Sequence, residues 1–97
     1  MRIVLTIALT GAALLAGCAP KVVTRSEARH LRPGMTYAEA VKVIDAPGRL
    51  RQPGERVVGA LIPQPGQEVY VWTNQDGSLV SAAFVGGRLA GLSEHGL

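Results

Sequence analysis

The chain has 97 residues, a length suited to one small domain. Ten Lys+Arg against seven Asp+Glu leave a net charge of +3, without a basic run or interleaved aromatic residues, which argues against a nucleic-acid partner. The single cysteine excludes an intramolecular disulfide, so a core this small has no covalent staple.

Arg2 is followed by an uncharged, mostly apolar run over residues 3–17. A membrane-spanning helix needs about 20 apolar residues. The shorter run has the proportions of a signal-peptide core. Leu15, Ala16, Gly17 and Cys18 close it, and they resemble the lipobox of bacterial lipoproteins. That resemblance implies cleavage before Cys18, a diacylglyceryl thioether on its sulfur, and often a further acyl chain on the new amino terminus. Two or three such chains, at about 0.8 kcal/mol per buried methylene, anchor a protein almost permanently. Ala19 stands where Asp would signal retention in the inner membrane, so the chain resembles outer-membrane lipoproteins held on the periplasmic side. The expected organisation is a signal peptide over residues 1–17, a lipidated cysteine with a short tether over 18–23, and a folded domain over 24–97. The tether reaches no more than about 20 Å. Residues 18–97 keep nine Lys+Arg against seven Asp+Glu, which leaves a mild attraction to anionic headgroups.

Thr24 and Glu27 form a capping box that predicts a short helix to about Leu31, ended by Pro33 and Gly34. Thr36 and Glu39 form a second box, with Tyr37, Ala40, Val41 and Ile44 at helical spacing. Pro47 biases Ala46 away from helix and ends this segment. Residues 49–55 read as a polar loop, and residues 56–62 as a strand weakened by Gly59. Residues 67–74 give the strongest strand signal. Asn74, Gln75, Asp76 and Gly77 fit a type I turn with a glycine bulge. Residues 78–85 are the partner strand, Gly86 and Gly87 turn the chain again, and residues 88–92 are a last short strand. The fold class is α+β: two short helices packed on a three- to four-stranded antiparallel sheet.

That turn pairs Asn74 with Ser78, so Trp72 faces Val80, Tyr70 faces Ala82 and Glu68 faces Phe84. These residues share one side, expected to pack on Tyr37, Val41 and Ile44. The other side carries Val69, Val71, Thr73, Leu79, Ser81, Ala83 and Val85. It is also apolar, and two short helices cover only one side. Val69, Val71 and Leu79 are therefore candidate partner-contact residues on an open face, unless the last strand, the 49–55 loop or a second copy covers it. Arg49, Arg51 and Arg56 are candidates for an acidic partner or anionic headgroups, against the alternative of an ordinary solvated loop.

The two histidines, His30 and His95, lie far apart without flanking carboxylate pairs. His30 sits at a helix end, where an imidazole can satisfy a carbonyl. His95 falls in the last three residues and is expected to be loose. The seven carboxylates are scattered, the glycines sit at turns, and a lipidated Cys18 has no nucleophilic thiol. The expectation is a non-enzymatic protein with no metal or other cofactor.

Several segments taken together carry a family resemblance. Leu31, Gly34, Met35 and Thr36, then Val41, then Pro47 resemble the opening pattern of the SmpA/OmlA (BamE-like) family of small outer-membrane lipoproteins. Tyr70 and Trp72, Gly77, and Phe84 with Gly87 resemble its strands. Asp45 stands where the family pattern has glycine. The resemblance implies an ααβββ domain similar to half of a β-lactamase inhibitor protein. It also implies a non-enzymatic role binding an envelope protein, with the β-barrel assembly machinery as the expected partner. The function expected is a protein-binding or scaffolding module in outer-membrane protein assembly or envelope integrity. Two alternatives stay open: an inhibitor-like module that blocks an envelope or secreted enzyme, and a purely structural envelope lipoprotein.

Overall fold

Thr24 and Thr36 start the two helices as their spacing to Glu27 and Glu39 predicts. The structure, a computed structural model, describes residues 21–97. The expected signal peptide and Cys18 lie outside the described residues. Helix α1 is Arg25–Ala28 and α2 is Tyr37–Ile44. At each start the threonine hydroxyl accepts from the backbone N–H of the glutamate three residues on, and that glutamate accepts from the threonine N–H. Helix α1 is shorter than expected, because the chain already turns at Arg29 and His30. Helix α2 ends on Asp45, which takes a left-handed conformation at φ 64°.

Four strands follow: β1 Arg49–Leu50, β2 Gln67–Thr73, β3 Leu79–Val85 and β4 Arg88–His95. They form one antiparallel sheet in chain order. The β2–β3 register is the one the turn predicts, with Trp72 opposite Val80, Tyr70 opposite Ala82 and Glu68 opposite Phe84. Asn74 N–H donates to Ser78 O at 2.8 Å, and Gly77 adopts φ 90°, which supplies the bulge. Strand β4 runs to His95, three residues past its expected end, so His95 is paired opposite Leu79 rather than loose.

The side of the sheet bearing Trp72, Val80, Ala82 and Phe84 packs on Ala40, Ile44, Ala28, Leu31 and Val23. Tyr37 stacks on Tyr70 with ring centroids 4.1 Å apart, and Phe84 meets Tyr70 edge-on at 5.7 Å. Such pairs contribute about 0.5–1.5 kcal/mol each beyond area burial. Trp72 Nε1 donates to Ala46 O at 2.8 Å. Tyr37 Oη accepts from Gly48 N–H at 3.0 Å and donates to Gly48 O at 3.2 Å. A Cβ on Gly48 would come within 2.9 Å of the Trp72 ring, so the aromatic cluster and the α2–β1 connection fit only with glycine there.

The opposite side is not open. Val69, Val71, Leu79 and Ala83 are buried beneath Val57, Ala60 and Leu61. The expected strand over residues 56–62 is instead an irregular strap lying across this face. Arg49 and Leu50 pair with Val71 and Tyr70, and Arg51 N–H donates to Val69 O at 2.8 Å, so β1 and Arg51 take that stretch of β2's edge. Gly59 at φ 86° bends the strap, and Leu61 N–H is satisfied by Ser81 Oγ at 2.9 Å instead of a strand partner. On the outer edge of β4, Leu89 N–H donates to Met35 O at 2.7 Å and Gly34 N–H donates to Leu89 O at 2.9 Å, so the loop before α2 occupies that edge.

Candidate functional site

Two regions at opposite ends of β2 stand out. The first is where the chain enters the domain. Val23 is fully buried. Asn74 Oδ1 accepts from Val23 N–H at 2.9 Å, and Asn74 Nδ2 donates to Val23 O at 2.8 Å. The carboxamide thus reads the backbone of Val23 as a strand would. Its second Nδ2 bond, to Ser78 Oγ at 2.9 Å, ties the clamp to the turn. Asp76 accepts from Ser78 Oγ at 2.5 Å and from Ser78 N–H at 2.9 Å, and these bonds, with Lys21 nearby, hold its pKa below the ordinary 3.8. Lys21 Nζ lies 3.7 Å from Asp76 Oδ2. Arg25 donates to Leu97 O at the same end. Asn74 reads in the sequence only as a turn residue; its partner lies 51 positions away, and no local pattern marks that pairing.

The second region is a cleft of about 710 Å³ at the start of β2, between residues 50–55 and 62–65. Leu50, Ile62, Pro63, Pro65 and Val69 supply apolar lining, with Gln52, Gln64, Gln67 and Glu68 among them. Leu50 and Ile62 are exposed. Arg51 builds one wall: it donates from Nη2 to Glu55 O at 2.8 Å and from Nη1 to Leu61 O, and its buried Nε has no partner. Arg49 pairs with Glu55 at 2.5 Å. The Gln52 N–H, and then Arg49, hold Glu55 below its ordinary pKa of 4.5. This cleft was hidden in the sequence because residues 56–62 read as a strand.

The candidate residues therefore divide. Cys18 lies outside the described residues. Val69, Val71 and Leu79 do not form an open contact face; the strap covers them, because both sides of a small apolar sheet must leave water. Arg49 and Arg51 are committed to ties within the 49–61 segment, while Arg56 is exposed beside Val58 and Ile62 around a shallow hollow of about 340 Å³. His30 Nδ1 lies 2.8 Å from Ser26 O, the helix-end contact its position predicts. Among the described residues no group of three or more His, Cys, Asp or Glu is placed to hold a metal, and no helix is long and apolar enough to cross a membrane.

Compared with protein-family models, curated proteins and solved structures, the chain matches none.

Proposed function

We propose that this chain is an envelope lipoprotein, anchored through acylated Cys18 to the periplasmic side of the outer membrane, where its domain acts as a non-enzymatic protein-binding module. The observation that carries the reading is the charged start and apolar run closed by Leu15, Ala16, Gly17 and Cys18. Ala19 supports the outer membrane over the inner one. The resemblance of most of residues 31–90 to SmpA/OmlA proteins supports a role beside the β-barrel assembly machinery. With Val69, Val71 and Leu79 buried, the contact surface shifts to the cleft, where Leu50 and Ile62 sit exposed among hydrogen-bonding glutamines.

Anchoring is tested by intact-mass analysis of the membrane fraction. The expected product begins at Cys18 with acyl mass on it, and Cys18→Ala abolishes both the acyl mass and cleavage before position 18. A product starting elsewhere, or an unmodified thiol, overturns the proposal. Binding is tested by a photo-crosslinking residue at Gln64 in intact cells. Adducts with barrel-assembly subunits support the scaffolding role. An adduct with one hydrolase replaces it with the inhibitor-like role, and absence of adducts leaves the purely structural role.

A further inference from the structure

We infer that the domain stands on the bilayer in one pose, with the β2–β3 turn toward the lipid and the cleft at the start of β2 turned away from it. The inference rests on the acylation of Cys18 proposed above. Four residues separate Cys18 from Val23. The five chain steps between them span at most about 18 Å when fully extended. The far end of that span does not roam. Val23 is fully buried and held by both halves of the Asn74 carboxamide, and Lys21 is drawn toward Asp76 in the same turn. The tether therefore leaves the fold at one fixed point beside residues 74–78. Strand β2 has seven residues, Gln67–Thr73, and rises about 23 Å from that point to the cleft. The tether is shorter than the strand, so the acyl chains cannot reach round to put the cleft against the membrane.

The composition of the tethered end suits the boundary between headgroups and acyl chains. Val22 is 40 % exposed beside Lys21. Val58, 81 % exposed, adjoins Gly59, which lies against the His95 ring, and His95 pairs with Leu79 at this same end of the sheet. Val22, exposed beside Lys21, would be poorly placed in bulk water and well placed at a lipid surface. The cleft, at the other end, is then presented to the compartment at the height of the domain.

The experiment uses the full-length acylated protein in vesicles of phosphatidylethanolamine and phosphatidylglycerol. A single cysteine is introduced at Gln75 in the turn, or at Gln64 by the cleft, and labelled with a fluorophore; the thioether at Cys18 does not compete. The Gln75→Cys label is expected to be quenched several-fold more than the Gln64→Cys label by a nitroxide carried on lipid, with the order reversed for a water-soluble quencher. A flexible Gly-Ser insertion of about ten residues after Pro20 should bring the two values together, because a tether of that reach permits either end to face the membrane. Equal quenching without the insertion, the reverse order, or a difference that the insertion leaves intact overturns the inference. The mass of the reconstituted protein separates the two claims. An acylated chain with equal quenching removes the pose alone, and an unacylated chain removes both.

Discussion

Asn74 and Gly48 each do at one position what a longer stretch of chain would otherwise have to do. Asn74 satisfies both backbone groups of a fully buried residue, and truncation to alanine leaves Val23 N–H and C=O without those partners. An unpaired buried polar group costs about 1–3 kcal/mol. Asn74→Ala should lower the urea midpoint accordingly with the m-value little changed; an unchanged midpoint would show that the clamp contributes nothing. Gly48 is a matter of space rather than hydrogen bonding. The added methyl group of Gly48→Ala meets Trp72 Cε2 and Cζ2 at 2.9 Å, and the indole is held by its bond to Ala46 O. Overpacking of this kind costs about 1–3 kcal/mol. The variant should melt at a lower temperature with altered tryptophan fluorescence, whereas unaltered emission would mean the ring has room to yield.

The two ends of α2 illustrate what local sequence can and cannot convey. Its start is written in Thr36 and Glu39, and Thr36→Ala should lose about 1 kcal/mol in chemical denaturation through the lost cap. Its end is less economical. Asp45 adopts φ 64°, a conformation in which a Cβ is crowded and glycine is at ease. Asp45→Gly should therefore raise stability by roughly 0.5 kcal/mol net of glycine's greater freedom in the unfolded chain, seen as a higher melting temperature. The hairpin was equally legible, because Asn74 to Gly77 fix the turn and the turn fixes which residues oppose. Residues 56–62 were not. Val57, Val58, Leu61 and Ile62 have strand-like composition, but whether such a segment joins an edge or lies across a face depends on which edge is taken and which face is bare. That is a property of the assembled sheet, and so the cleft beside the strap was hidden together with it. The Asn74–Val23 clamp was hidden for the related reason that its partners are far apart in the chain.

At the scale of the whole molecule, the small core makes surface charges matter to how stability varies with pH. Asp76, Glu39 and Glu55 have folded-state pKa values below their ordinary values of 3.8, 4.5 and 4.5, through hydrogen bonds from Ser78, Thr36 and Gln52 respectively. Lowered carboxylate pKa values favour the folded state when ionised. The contribution is complete above the ordinary values and disappears as pH falls through the folded-state ones. Denaturation midpoints should be steady down to about pH 4.5 and decline below it, the decline shrinking in high salt, since all three groups are at the surface. Tyr70 acts at the other limit. Burial, and then Glu68, raise its pKa above 10.0, so stability should fall as pH rises past that value. A profile flat through both limits would contradict these assignments. The outer side of β4 bears on a different hazard. A bare strand edge invites a second copy to add its own strand there. Because Met35 and Gly34 already occupy the outward amide and carbonyl of Leu89, the segment before α2 acts as a built-in spacer, closing that stretch of the edge to the strand of another molecule.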